Sequence, residues 1–198
     1  MICLNAEKKF SDETESLVKA QIDNSIEFGW KKEDIVLLTN FQYEYQGITA
    51  TVIDVVSRAD AILYLLEQGV VQEAELWWAH DINVFQRRPM KSSDIDLDGT
   101  TAGFTGSDTG MFEMGSFFFR KDANKVFEWI RNRARRRRSD EATALASLST
   151  TNYRNINSMY AKLNFTLAHA LFLSNKNMLD VKIVSERLVK IFAYHGII

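Results

Sequence analysis

The sequence predicts an α/β domain on a mainly parallel sheet, with a smaller antiparallel part. Three observations carry that expectation. Short apolar runs with polar ends alternate with stretches of helical spacing through the first half of the chain. The 198 residues are 46% hydrophobic and 25% charged, which supports one ordinary core and excludes wholesale disorder, collagen or a coiled-coil rod. There is one proline, Pro89, and no Gly/Ser-rich linker or internal repeat, so a single domain over residues 1–198 is expected.

The elements follow in order. Ile2-Cys3-Leu4 reads as a short strand. Ser11-Asp12-Glu13 offers a helix N-cap with acids in the first turn, and the helix runs to about Phe28 through Leu17, Ala20, Ile22 and Ile26. Residues 34–40 form a buried-strand pattern, and 47–56 are β-branched and extended. Residues 57–68 return to helical spacing and stop at Gly69, a C′ glycine. Residues 75–79 are the next buried strand, running straight into His80-Asp81-Ile82-Asn83. A polar loop is expected over 87–98, then β segments at 101–105 and 111–120 joined by a turn at 106–110. Asp122 is the expected cap of a helix through Val126, Phe127, Trp129 and Ile130. A short helix over 139–147, a long one over about 155–174 and an extended or mixed tail over 181–198 complete the chain.

Composition narrows the function classes. Lys and Arg total 24 against 26 Asp and Glu, so the net charge of −2 gives no global field for nucleic acid, and no stable nucleic-acid partner is expected. The lone cysteine, Cys3, excludes an internal disulfide and a cysteine-rich zinc module. The opening MICLNAEKK lacks a basic region followed by an apolar one, and no run reaches the ~18 apolar residues of a membrane span. A soluble, cytoplasmic protein is the expectation. GxGxxG and GxxxxGK[ST] are both missing, so neither a dinucleotide fingerprint nor a Walker loop is present.

Ligands of open α/β sheets sit beyond the carboxyl ends of the strands. There the chain places Asn5, then Asn40, then His80, Asp81 and Asn83. Asp81 and Asn83, two apart in an extended segment, point the same way, and their oxygens suit Mg²⁺ or Mn²⁺ with positions left for phosphate. An Asp capping a turn is the alternative. Arg58, at a helix start, has the planar fork that pairs with phosphate. Asp140 and Glu141 read as helix N-terminal acids favoured by the macrodipole. Asp94-Ile95-Asp96-Leu97-Asp98-Gly99 imitates an EF-hand start, but Thr105 stands where a bidentate Glu is required. His169, in an apolar stretch, reads as a core histidine.

The string LWWAHDINVFQ resembles the strand and Asp-x-Asp element of GT-A-fold glycosyltransferases. Residues 110–118, GMFEMGSFF, are similar to the segment that presents backbone and small residues to the donor sugar. Ser139-Asp140-Glu141 resembles the acidic motif at a helix start, and Tyr194-His195-Gly196 the late metal-ligating histidine. Asn83 departs from the pattern, because the second acid is an amide. The resemblance implies a GT-A (Rossmann-like) fold with C-terminal helices, residues 1–86 as the nucleotide-binding half and 87–198 as the donor-sugar and acceptor half. It implies a metal-dependent transferase moving a sugar from a UDP-sugar or other nucleoside-diphosphate donor to a glycan, lipid-linked or protein acceptor. Mn²⁺ or Mg²⁺ would sit on Asp81, Asn83 and His195. The donor would meet Asn5, Asn40, Arg58, His80, Asp81, Asn83, Gly115 and Ser116, and the catalytic acids would be Asp140 and Glu141.

Six arginines lie within residues 131–138, and without them the net charge falls from −2 to about −8. A solvated helix end, an acidic acceptor, peripheral contact with an anionic membrane, or nucleic acid each accounts for that run. A nucleotide-binding or surface-docking protein without catalysis, and a nucleic-acid accessory protein, are the alternatives to the enzyme.

Overall fold

The computed structural model describes residues 2–4, 10–54, 57–71, 76–86, 88–106, 112–148, 152–155, 164–166, 190–191 and 193–195. The protein is mixed α/β and forms two compact units. One comprises Met1–Val52, His80–Met90 and Ala161–Ile198, the other Ile53–Ala79 and Lys91–Tyr160. Among the described residues no helix is long and apolar enough to cross a membrane.

The first unit holds three parallel strands, β1 (Ile2–Leu4), β2 (Val36–Thr39) and β5 (Thr51–Val52), with Ile2 opposite Val36 and Leu38 opposite Thr51. Helix α1 (Asp12–Glu27) starts where the Ser11 hydroxyl accepts the Thr14 N–H at 3.2 Å. Asp12, Glu13 and Glu15 follow, where the helix dipole favours anions. Leu17, Val18, Ala20 and Ile22 are buried with Ile35, Leu37, Ile48 and Phe85 in one apolar cluster. Strands β3 (Glu44–Tyr45) and β4 (Ile48–Thr49) pair antiparallel across Gln46 and Gly47. Both turn residues have positive φ, 56° and 78°, the two-residue hairpin geometry that matches strand twist. Strand β6 (Trp77–Asp81) ends in this unit, and after the turn β7 (Val84–Gln86) pairs antiparallel with β11 (Asn164–Thr166).

In the second unit, α2 (Arg58–Glu67) is capped by Ser57 and closes in a Schellman turn. Val70 N–H reaches Leu65 C=O, Gly69 N–H reaches Leu66 C=O, and Gly69 has φ +69°. Strands β8 (Ala102–Gly106) and β9 (Phe112–Phe119) are antiparallel, with a bulge between Phe104 and Thr105, and β10 (Arg154–Asn155) runs parallel to β8. Both faces of β9 are covered, which is why three phenylalanines stand in a row. Phe117 and Phe119 meet Phe127 at 5.5 and 5.6 Å, while Phe118 stacks on Trp78 at 5.0 Å. Phe127 belongs to α3 (Asn124–Arg137), which is followed by α4 (Glu141–Ala146).

Two expectations are corrected. Asp122 does not cap α3: the N-cap is Ala123, with no side-chain bond. The long helix expected over 155–174 is contradicted at Asn164–Thr166, which is strand β11; an apolar run of that length has no decisive period. In the tail, expected to be extended or mixed, Lys190, Ile191, Ala193 and Tyr194 are helical. The rest of 156–174, with His169, and the turn residues 107–110 lie outside the described residues.

Phe127 is fully buried, so Phe127→Ala is expected to lower unfolding stability by about 3–5 kcal/mol, read from urea denaturation midpoints.

Candidate functional site

The end of β6 is built from helix α1. Gln21 and Asn24, one turn apart on α1, are both buried. The Gln21 amide donates to the carbonyls of Asp81 and Val84, the latter at 2.9 Å. Asn24 donates to the Gln86 carbonyl at 3.1 Å and accepts its N–H at 3.0 Å. Trp30 Nε1 adds a bond to Gln86 Oε1 at 2.7 Å. These bonds satisfy backbone groups of Asp81, Val84 and Gln86 on either side of the turn at Ile82-Asn83.

The strand stops at Asp81, which is half-buried, and Asn83 is exposed in the turn. Asp81 and Asn83 therefore do not share one extended face, which corrects the period-two expectation. His80 is fully buried, and burial pushes its imidazole pKa down to about 3. It is neutral and faces the core, so it does not reach a donor. His195 has another partner. Its Nε2 lies 2.8 Å from Asp23 Oδ2, and the Tyr45 hydroxyl donates to that same oxygen at 3.0 Å. Among the described residues no three His, Cys, Asp or Glu side chains form a group able to hold a metal ion. A Mg²⁺-like ion needs only one or two protein oxygens plus substrate phosphate, and the half-buried Asp81 carboxylate supplies one such donor.

The second unit brings Arg58, Asp140 and Glu141 to one cleft of about 350 Å³. Glu141 is 9% exposed, and its carboxylate accepts Ala59 N–H at 2.7 Å and Arg58 N–H at 3.2 Å. It closes the N-terminus of α2, and the Arg58 guanidinium stands 3.8 Å away. Asp140 caps α4 through a 2.6 Å bond from Thr143 N–H, which holds its carboxyl below the usual range. Asp140 is thus ionised at neutral pH and a weaker proton acceptor than an unperturbed carboxylate. Ser57, Asp60, Arg131 and Arg135 also line the cleft. Arg135 grips both Asp60 oxygens at 2.9 and 3.0 Å.

The other expected residues scatter. Ser116 is buried and accepts Trp78 Nε1–H at 2.8 Å, so it locks the sheet rather than meeting a sugar; Gly115 beside it is half-buried. Asn40 follows β2, with its side-chain oxygen buried and without a hydrogen-bond partner. Asn5 lies outside the described residues. In the acidic loop, Asp94 accepts Lys91 N–H and Asp96 accepts Asp98 N–H, which are turn-capping jobs. The sequence reading missed Gln21, Asn24 and Asp60. An amide pair at i and i+3 on an otherwise apolar helix face, and the Ser57-x-x-Asp60 box, were the signals available.

Compared with known proteins, the chain matches no family model and no curated protein.

Two outcomes follow. The unfolded chain protonates His80 near pH 6.5, but the folded chain does so only near pH 3, so folding stability falls as pH drops through that window. His80→Leu is expected to remove this loss, seen as a wild-type-minus-variant difference in urea midpoints between pH 7 and pH 4. Glu141→Ala strips two α2 N–H groups of their acceptor and is expected to cost about 1–3 kcal/mol by the same measurement.

Proposed function

We propose that the protein is a metal-dependent glycosyltransferase of the GT-A type, transferring a sugar from a nucleoside-diphosphate donor, a UDP-sugar, to an acceptor hydroxyl. The carrying observation is the end of β6, where a buried strand gives out at a half-exposed carboxylate whose main chain is fixed by Gln21. The parallel β1, β2 and β5 of one unit and the antiparallel β8 and β9 of the other support the fold part of the reading.

In this reading Asp81 would hold Mn²⁺ or Mg²⁺, with Asn83 reaching it from the adjoining turn. A bound cation supplies Lewis-acid neutralisation of the charge on the departing diphosphate. Arg58 and Asp140 lie in the cleft of the other unit and are given no part in this site. Glu141 is assigned to structure, because both its oxygens are engaged by α2. His195 drops out of the ligand set for the same kind of reason. A second reading, nucleotide binding without transfer, is favoured by the use of both acids as helix caps.

Mn²⁺-dependent UDP release from a panel of UDP-sugars is expected for the wild type, with Asp81→Ala lowering it about 100-fold or more. Turnover that survives Asp81→Ala unchanged refutes the metal assignment. Nucleotide affinity without sugar release selects the second reading.

A further inference from the structure

We propose that the exposed end of α3 binds the phosphodiester backbone of a single-stranded nucleic acid. The expectation against such a partner rested on the charge of the whole chain, whereas the structure divides the arginine run by job. Arg131 and Arg135 turn to Asp60. At 100° per residue, Trp129, Arg133 and Arg136 lie on the other flank of the buried Val126, Phe127 and Ile130. Arg137 and Arg138 continue that surface round the helix end, where Arg138 takes the left-handed conformation, φ 52°.

Arg136, Arg137 and Arg138 are exposed and have no ion-pair partner among the described residues. A helix C-terminus offers about half a negative charge. Three adjacent guanidinium groups exceed what it offsets, which leaves this helix end net positive and complementary to a polyanion. Arginine's fork fits phosphate. From Trp129 to Arg136 the helix rises roughly 10 Å, enough to span adjacent phosphates of one strand. Trp129 is half-buried, with the Arg133 guanidinium 5.9 Å from its ring centre, the pairing of aromatic and cation on which single-strand bases stack.

An anionic membrane competes for the same charge. The apolar residues Val126, Phe127 and Ile130 of α3 are buried. Among the described residues the exposed large apolar side chains, Phe10, Val52, Val70 and Tyr194, are all on other segments. The helix therefore has no apolar face to enter a bilayer interface. The proposal stands independently of the transferase reading.

The test is fluorescence anisotropy of a labelled oligothymidylate titrated with the full chain. Binding is expected to weaken with salt. Arg136→Ala with Arg137→Ala is expected to flatten the plot of log K against log salt by about 1.4, two contacts at about 0.7 each. Trp129→Leu is expected to weaken binding about tenfold with the slope unchanged. Circular dichroism checks that each variant is folded. The proposal is overturned if the wild type does not bind at low salt, if the double variant keeps affinity and slope, or if phosphatidylserine vesicles are bound in preference to the oligonucleotide.

Discussion

Two buried amides on one helix, Gln21 and Asn24, hold the corner on which the first unit's candidate chemistry rests. A turn between two strands strands its own carbonyls and N–H groups, and a buried one without partners costs about 1–3 kcal/mol per group. Here α1 supplies those partners directly. The apolar residues of α1 bury the helix, while its two amides set where Asp81 stops and Asn83 turns. Apolar burial is non-directional; the hydrogen bonds supply the geometry.

The second unit shows the opposite use of polar groups. Its two acids look like catalytic carboxylates in the sequence, yet each meets a helix N-terminus. Glu141 stands at the start of α2 as an anion built into the chain, the kind of ligand that such a terminus attracts from solution. Arg135 and Asp60 lock the opposite side of the same cleft. The cleft is therefore nearly neutral, and of the two acids only Asp140 is left exposed.

Much of the fold was legible in the residues. Ser11 caps α1 as its place before two acids predicts, and Gly69 ends α2, because caps and C′ glycines act locally. The β8–β9 pair follows from its β-rich segments. Less legible was anything set by distant partners. Ile82-Asn83 reads as a strand continuation until Gln21 and the turn intervene. Phe165 reads as helix until Phe85 stands opposite it in β11 and β7. His195 matches a ligand motif, but Asp23 and Tyr45 claim it. At the candidate site, residue types were visible and their neighbours were not. Arg58, Asp140 and Glu141 were each singled out, while their meeting in one cleft required the tertiary structure.

The Gln21 bonds join residues 60 and 63 positions apart in the chain. Closing a loop of that length is slow and entropically costly compared with forming α1 or the hairpin at Gln46-Gly47. The corner at Asp81 thus matures late, after its parts exist, and a fragment carrying the tryptophan-rich strand without the first helix would inherit the residues of the site but not its shape.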